Sequence, residues 1–156
     1  MIDYRITQIA DPTTEQLTGF KSFIAANGAE TDAFLLSILK RAMMAVQDWE
    51  DRTLLAGTAT IVATGREDNP AEPVLLYGTP EVDSIAVTDA AGDALAFSLV
   101  GRLVLPSYRA AALTITYTTA PTDADLADLM PKVYRYGAAL YDGEDSPALA
   151  KILQER

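Results

Sequence analysis

Acidic side chains are the residues of this sequence whose clustering could support acid/base or metal chemistry. Asp48, Glu50 and Asp51 stand close together, and Asp142–Asp145 contains a second group. The 156 residues include no Cys and no His. This composition excludes cysteine nucleophiles, Cys/His zinc sites and every catalytic triad that needs a histidine.

Neither acidic cluster predicts a specific site. Adjacent helical side chains point about 100° apart, so Glu50 and Asp51 do not converge on one ion. The Asp142–Asp145 segment lacks the alternating ligands and the distal Glu of a calcium loop. A glycosidase-type carboxylate pair is defined by a separation that sequence does not specify. We therefore predict no catalytic residue, no metal site and no cofactor.

The charge balance bears on possible partners. Asp and Glu number 22 and Lys and Arg number 12, which gives a net charge of −10, and no segment has an excess of bases. A protein that grips DNA phosphates is therefore not expected. The longest uncharged stretches, Thr53–Gly65 and Ala110–Thr122, fall short of the ~20 residues of a membrane helix. Asp3 and Arg5 precede any apolar run, so we expect no secretory signal.

Apolar periodicity and capping signals predict four helices. Thr13 and Gln16 have the spacing of a capping box, and Asn27-Gly28 predicts the end of the first helix. Asp142-Gly143 predicts the end of the third, and Ser146-Pro147 predicts a new start with proline in the first turn. The predicted helices cover about 14–26, 32–52, 123–142 and 147–154.

Two long apolar stripes predict the main helix–helix contact. The stripe of the second helix is expected to face that of the third, with Trp49 buried and Gly137 allowing close approach. Pro131 predicts a kink or a break. Arg52 is expected to offset the acids beside it, or to form a buried ion pair. The two stripes are Leu35, Ile38, Leu39, Ala42, Val46 and Trp49, and Leu129, Val133, Gly137 and Leu140.

An antiparallel sheet of five or six short strands is predicted between about residues 54 and 118. Turn residues separate the candidates, and the charged loop 65–73 is expected to be exposed. The fold class is therefore α+β: a single domain over 1–156, three to four helices with an inserted small sheet. The candidates are Thr58–Thr64, Val74–Tyr77, Val82–Val87, Ala94–Val100, Leu103–Leu105 and the alternation at Leu113, Ile115 and Tyr117.

In the order of these elements, the chain resembles the head–tail connector (adaptor) proteins of tailed bacteriophages. The long second helix closes with Val46, Trp49 and Arg52 at three-residue steps, as is typical of that family. Glu50-Asp51 replaces the family's usual Thr-Gly, which is a departure. The similar segments are Glu15–Ile24, Glu30–Leu54, Glu72–Leu95, Ala112–Pro121 and Asp128–Asp145.

The resemblance implies a structural virion protein that is not an enzyme. Such a protein forms a closed ring of about twelve copies under the portal vertex after DNA packaging. Its expected partners are further copies of itself, the portal protein, and a stopper or tail-completion protein, with no membrane. Double-stranded DNA passes through the central channel without specific contacts. The expected location is the head–tail interface, and the host cytoplasm during assembly.

Two segments are candidate partner contacts. Leu149, Ile152 and Leu153 give the last helix an apolar edge, which is expected either to dock on the portal or a neighbouring subunit, or to pack on its own domain. The other segment is the loop with Arg66, Glu67 and Asp68.

Other function classes stay open. The alternatives are a small carboxylate-based hydrolase or metabolite-binding domain, and another phage head-completion role. An apolar cleft with convergent carboxylates would favour the enzyme.

Overall fold

Four helices of the computed structural model confirm the α+β class. The structure describes residues 2–25, 30–64, 73–107 and 111–156. The strands between α2 and α3 form the predicted antiparallel insertion. None of the helices in these ranges is long and apolar enough to cross a membrane. The helices are α1 (Thr14–Phe23), α2 (Asp32–Glu50), α3 (Asp123–Tyr141) and α4 (Ser146–Gln154).

Seven strands lie in the described ranges, one more than the largest number predicted. The additional strand is β1 at the N-terminus, where Tyr4 and Ile6 alternate with the exposed Asp3, Arg5 and Thr7. This two-residue period is the sequence signal for the strand. The strands are β1 (Ile2–Ile9), β2 (Gly57–Thr64), β3 (Val74–Leu75), β4 (Ala86–Asp89), β5 (Phe97–Val100), β6 (Leu103–Pro106) and β7 (Ala112–Thr119).

The chain divides into two compact units. The strand unit comprises Met1–Ile9 and Ala56–Ala120, and the helical unit comprises Ala10–Leu55 and Pro121–Arg156. Each unit is therefore built from two separate stretches of sequence.

The strand unit contains two antiparallel sheets with a common core. The four-stranded sheet has the order β1-β2-β7-β4, and the three-stranded sheet has the order β3-β6-β5. Alternate residues of β2, β7 and β4 are buried against residues from β3, β6 and the adjoining chain, because the side chains of a strand point to its two faces in turn. This core consists of Ala59, Ile61, Ala63, Val74, Leu76, Val87, Leu95, Val104, Leu113, Ile115 and Tyr117.

Two local features of the strand unit are a buried hydroxyl with hydrogen-bond partners and a glycine at a close approach of two strands. The hydroxyl of the buried Tyr117 accepts a hydrogen bond from the backbone N–H of Tyr77 (2.9 Å) and donates one to its carbonyl (3.1 Å). The core therefore contains no unpaired phenol at this point. Gly57 pairs with Ile9 next to the register shift between Ile6 and Gln8, and a Cβ on Gly57 would overlap the Gln8 carbonyl.

The helical unit confirms the predicted α2–α3 contact except at Trp49. The side chain of Trp49 is 53% exposed. The chain that follows α2 turns back beside its last turn, where Gln47 Oε1 accepts hydrogen bonds from the N–H groups of Leu54 (2.9 Å) and Leu55 (3.0 Å). Leu54 and Leu55 are both buried there, whereas Trp49 lies outside the core. The buried stripe residues are Leu35, Ile38, Leu39, Ala42, Val46, Leu129, Val133 and Gly137.

The helix ends differ in part from the prediction. α1 ends at Phe23, where Ala25 has a positive φ of 52°. The predicted Asn27-Gly28 stop lies outside the described residues. The N-cap of α4 is Asp145 rather than Ser146, because the Asp145 carboxylate accepts the Ala148 N–H at 3.0 Å.

α3 continues through Pro131 without a break. Pro131 has no N–H to donate to the carbonyl of Ala127. Both residues are exposed, so the helix loses this hydrogen bond on its solvent side and not in the core.

Candidate interaction surfaces

The acids at the end of α2 and the start of α3 take part in ion pairs between helices. The Arg52 guanidinium donates to Asp125 at 2.7 Å and to Asp128 at 2.5 Å. Hydrogen bonds from Arg52 to Asp128 and then to Asp125 raise the pKa of Arg52 further. Of the two expectations for Arg52, the structure shows an ion pair with α3, in which Asp125 is buried.

Lys132 is a buried charge that joins three helices. Its Nζ donates to Glu50 Oε1 of α2 at 2.5 Å and to the Leu153 carbonyl of α4 at 3.3 Å. The side chain of Lys132 is 10% exposed, whereas that of Glu50 is 27% exposed. A buried ammonium without such partners would be costly, so this contact fixes the end of α4.

The predicted C-terminal contact residues are half-buried in this structure. Leu149, Ile152 and Leu153 all lie on α4, which packs against α3. Arg135 of α3 also pairs with Glu155 after the end of α4. These contacts favour packing of α4 on its own unit and leave part of each apolar side chain accessible. The loop residues Arg66, Glu67 and Asp68 lie outside the described residues.

One concavity in the helical unit tests the enzymatic alternative. It has a volume of about 480 Å³, and its lining includes two carboxylates, those of Glu50 and Asp128. Glu50 forms an ion pair with Lys132, and Asp128 forms one with Arg52. The two carboxylates are therefore both engaged by cations, which does not favour a catalytic acid–base pair. In the described ranges, no three acidic residues form a group that could hold a metal ion.

The outer side of the three-stranded sheet carries exposed apolar residues. Leu103 on the central strand is paired with Leu75 of β3 on one side and with Val100 of β5 on the other. Leu75 is 43% exposed and Val100 is 63% exposed. Leu105 lies on the same side of β6, next to Ser98. We call Leu75, Val100, Leu103 and Leu105 the apolar face.

The outer side of the four-stranded sheet consists mainly of threonine. These residues alternate along β2, β4 and β7 with the buried core residues, and pairs such as Thr60–Thr116 and Val62–Thr114 lie directly opposite each other. At the β1 end, Asp3 and Arg5 form an ion pair of 2.9 Å. We call the set Thr58, Thr60, Val62, Thr64, Ala86, Thr88, Thr114, Thr116 and Thr118 the threonine face.

Sequence reasoning did not identify either face. The alternation of Thr114, Thr116 and Thr118 with Leu113, Ile115 and Tyr117 was the available signal, but it does not say which strands are neighbours. The pairing of β2 with β7 joins residues 48 to 62 positions apart in the sequence, from Thr64–Ala112 to Gly57–Thr119. A surface made by such pairing becomes visible only in the folded sheet.

No protein-family model matches this chain, and no curated protein matches it. Among solved structures, a chain of the virion of the native gene transfer agent (GTA) particle is similar, with 17% identity and a TM-score of 0.67 over 97% of this chain and 93% of that one. A chain of the neck of the empty GTA particle, computed with C6 symmetry, has 17% identity and a TM-score of 0.64 over 95% and 94%. A chain of the neck of the native GTA particle, computed with C12 symmetry, has 19% identity and a TM-score of 0.52 over 96% of each chain.

These neighbours are components of a phage-like particle, and their likeness to this chain extends from end to end. The shared feature is the fold: both the helices and the inserted strands are included in the matched lengths.

Proposed function

We propose that this protein is a non-enzymatic structural component of the neck of a phage-like particle, where it forms a ring adaptor between the portal vertex and the tail. The observation that carries the proposal is the match of nearly the whole fold to GTA virion and neck chains. A match over the full length supports a common architecture more strongly than a match to one motif, although fold alone does not define function.

The symmetry of the neighbouring structures supports the ring. The GTA necks were computed with C6 and C12 symmetry. Repetition of one heterologous contact produces a closed ring when the rotation between neighbours divides a full turn. We accordingly propose a ring of about twelve copies of this chain.

The charge of the chain fits the passage of DNA. A net charge of −10 repels phosphate, and the double helix could therefore move through a central channel without being held by it. The proposed location is the head–tail interface of the virion, after assembly in the host cytoplasm. The other partners are the portal protein on one side and a stopper or tail-completion protein on the other.

α4 is the proposed portal contact. Leu149, Ile152 and Leu153 are half-buried, and Lys151 beside them is exposed. The exposed side of this helix could bind the portal while its inner side stays on α3. The loop with Arg66, Glu67 and Asp68 is proposed as a second partner contact.

Truncation and a point substitution separate the two roles of α4. Deletion of residues 146–156 should remove both portal binding and the contacts to α3. Lys151→Glu should weaken portal binding in a pull-down assay and leave the melting temperature unchanged. Full portal binding by both variants would refute the proposed role of α4.

Deletion of the gene from a particle-producing strain tests the proposed function. The expected result is DNA-packaged heads and separate tails, with joined particles restored when the gene is supplied in trans. Joined, complete particles without the protein would show that it has no role between head and tail.

A further inference from the structure

The two outer sides of the strand unit carry few charged residues: the apolar face has none, and the threonine face meets charge along β1, where Asp3 and Arg5 lie opposite Val62 and Thr60. Antiparallel sheets commonly bury one side and present polar or charged residues on the other. The apolar face instead places Leu75, Leu103 and Val100 in a row across three strands. An exposed row of this kind indicates a surface that another molecule covers.

Charge indicates which molecule that is. Two copies of a chain with net charge −10 repel each other wherever their acidic surfaces meet. The apolar face has no charged member, and Asp3 and Arg5 beside the threonine face are paired with each other, so a contact between these two faces avoids most of this repulsion. At the borders of the threonine face, the Asp3 carboxylate is paired with Arg5, and the Glu81 carboxylate accepts a hydrogen bond of 2.5 Å from the Thr118 hydroxyl.

The positions of the two faces meet the geometric requirement of a ring. The inner sides of both sheets share one core, so the apolar face and the threonine face lie on opposite sides of the strand unit. A ring with head-to-tail contacts needs two different faces, one for each neighbour. Two opposed faces inclined by about 30° would close a ring of twelve.

The side chains of the threonine face suit a protein contact. Threonine is β-branched, so its χ1 angle is already restricted and little freedom is lost when it is covered. Its methyl group offers apolar surface. Hydroxyls at the borders already have partners within the sheet, since Thr7 donates to the Thr58 carbonyl and Thr118 donates to Glu81.

We propose that the apolar face of one subunit packs against the threonine face of the next copy, so that the strand unit closes the ring. This inference rests on the proposed function, because it assigns the surfaces through which the neck ring forms. Facing sheets pack about 10 Å apart, which brings side chains of the two faces into direct contact.

Cysteine cross-linking tests this contact, because the chain contains no natural cysteine. Three variants are made in the full chain: Val100→Cys, Thr116→Cys and the double variant. Each is treated with a short bismaleimide, both alone and in the assembly formed with the portal protein. The double variant should give a ladder of covalent oligomers that extends to the full ring, whereas each single variant should stay monomeric on a denaturing gel.

Val82 provides the matched control. It has the same side chain and the same 63% exposure as Val100, but it lies outside both faces, in the short 3-10 helix Val82–Ser84. The double variant Val82→Cys with Thr116→Cys should form no ladder. Circular dichroism and thermal melting establish that all variants are folded.

The possible outcomes separate this inference from the proposed function. Closed rings of the double variant without a ladder would refute the assigned faces and leave the ring adaptor intact. Efficient dimerisation of Val100→Cys alone would indicate a two-fold contact between apolar faces and would also refute the assignment. Single subunits under every condition, including with portal protein, would contradict both proposals.

Discussion

At the scale of single residues, Gly137 lets α3 approach α1 and α2 closely. A Cβ at this position would lie 2.8 Å from Cε2 of Phe20 and 3.5 Å from the Cβ of Ala42. Phe20 is completely buried, so its ring has no solvent-filled space to move into. The close approach expected from the sequence is therefore real, and α1 provides the tightest neighbour.

Gly137→Ala should destabilise the protein. Overpacking costs about 1–3 kcal/mol, and the better helix propensity of Ala offsets ~1 kcal/mol of this. Denaturant unfolding should show a net loss of about 1 kcal/mol. In a Phe20→Leu background the clash is relieved, and the same substitution should become neutral or stabilising. A gain in stability in the wild-type background would contradict the packing around Gly137.

The titration of Asp48 should make the stability difference between wild type and an Asp48 variant depend on pH. Burial raises the pKa of its carboxyl group above the ordinary value of 3.8, so the charged form is less favourable in the folded state than in the unfolded state. This cost is absent below the unfolded-state pKa, where both states are protonated, and it is present in full above the folded-state pKa.

Asp48→Asn removes this cost. Because the side chain of Asp48 keeps access to solvent, its desolvation is only partial, and the gain in stability at pH 7 should be small, about 0.5 kcal/mol or less. Thermal unfolding at pH 7 and pH 3 measures it, and the difference between variant and wild type should vanish at the lower pH. An equal stabilisation at both pH values would point to a cause other than the carboxylate charge.

At the scale of elements, the position of α4 depends on Lys132, which pairs with Glu50 and donates to the Leu153 carbonyl. Lys132→Met leaves Glu50 without its ammonium partner and frees the Leu153 carbonyl. The expected loss is about 1–3 kcal/mol, since Glu50 keeps some access to solvent. Guanidinium unfolding checks this value.

The double variant Lys132→Met with Glu50→Met is the control for the same pair. Replacement of both charges by apolar side chains leaves no unpaired ion, so its stability should return close to that of the wild type. If the double variant lost as much as the sum of the two single variants, the contact would not act as a coupled ion pair.

The elements that sequence predicted well are those defined by local pattern. The apolar stripe of α2 and the capping box of α1 are confirmed, because both depend on residues within a few turns of each other. Trp49 was wrongly expected in the core: it continues the apolar spacing of α2, but it lies in the last turn of the helix and is exposed. β1 was not predicted although Tyr4 and Ile6 alternate with polar residues; its pairing with β2, some fifty residues later, became visible only in the fold.

The candidate surfaces were less accessible to sequence reasoning. Arg52 could be singled out from its place at the end of α2, but its partners Asp125 and Asp128 come from a helix seventy or more residues away. The apolar face likewise depends on three strands that meet only through their register. The chemical character of single residues could be predicted from the sequence. Which residues come together to form a surface could be seen only in the folded structure.

At the scale of the whole molecule, the fold and the charge lead to the same proposal. The fold matches GTA virion and neck chains almost from end to end, and the acidic chain is suited to a channel that does not retain DNA. Both the ring and its place between head and tail follow from one assumption, that the shared fold serves a shared position in the particle.

Electron cryo-microscopy of the purified protein mixed with the portal protein of its own particle is the direct test of the proposed ring adaptor. The images should show a closed ring of this chain, about twelve copies, bound coaxially to the portal. Portal particles without any bound ring, with this protein remaining as single subunits at saturating concentration, would contradict it.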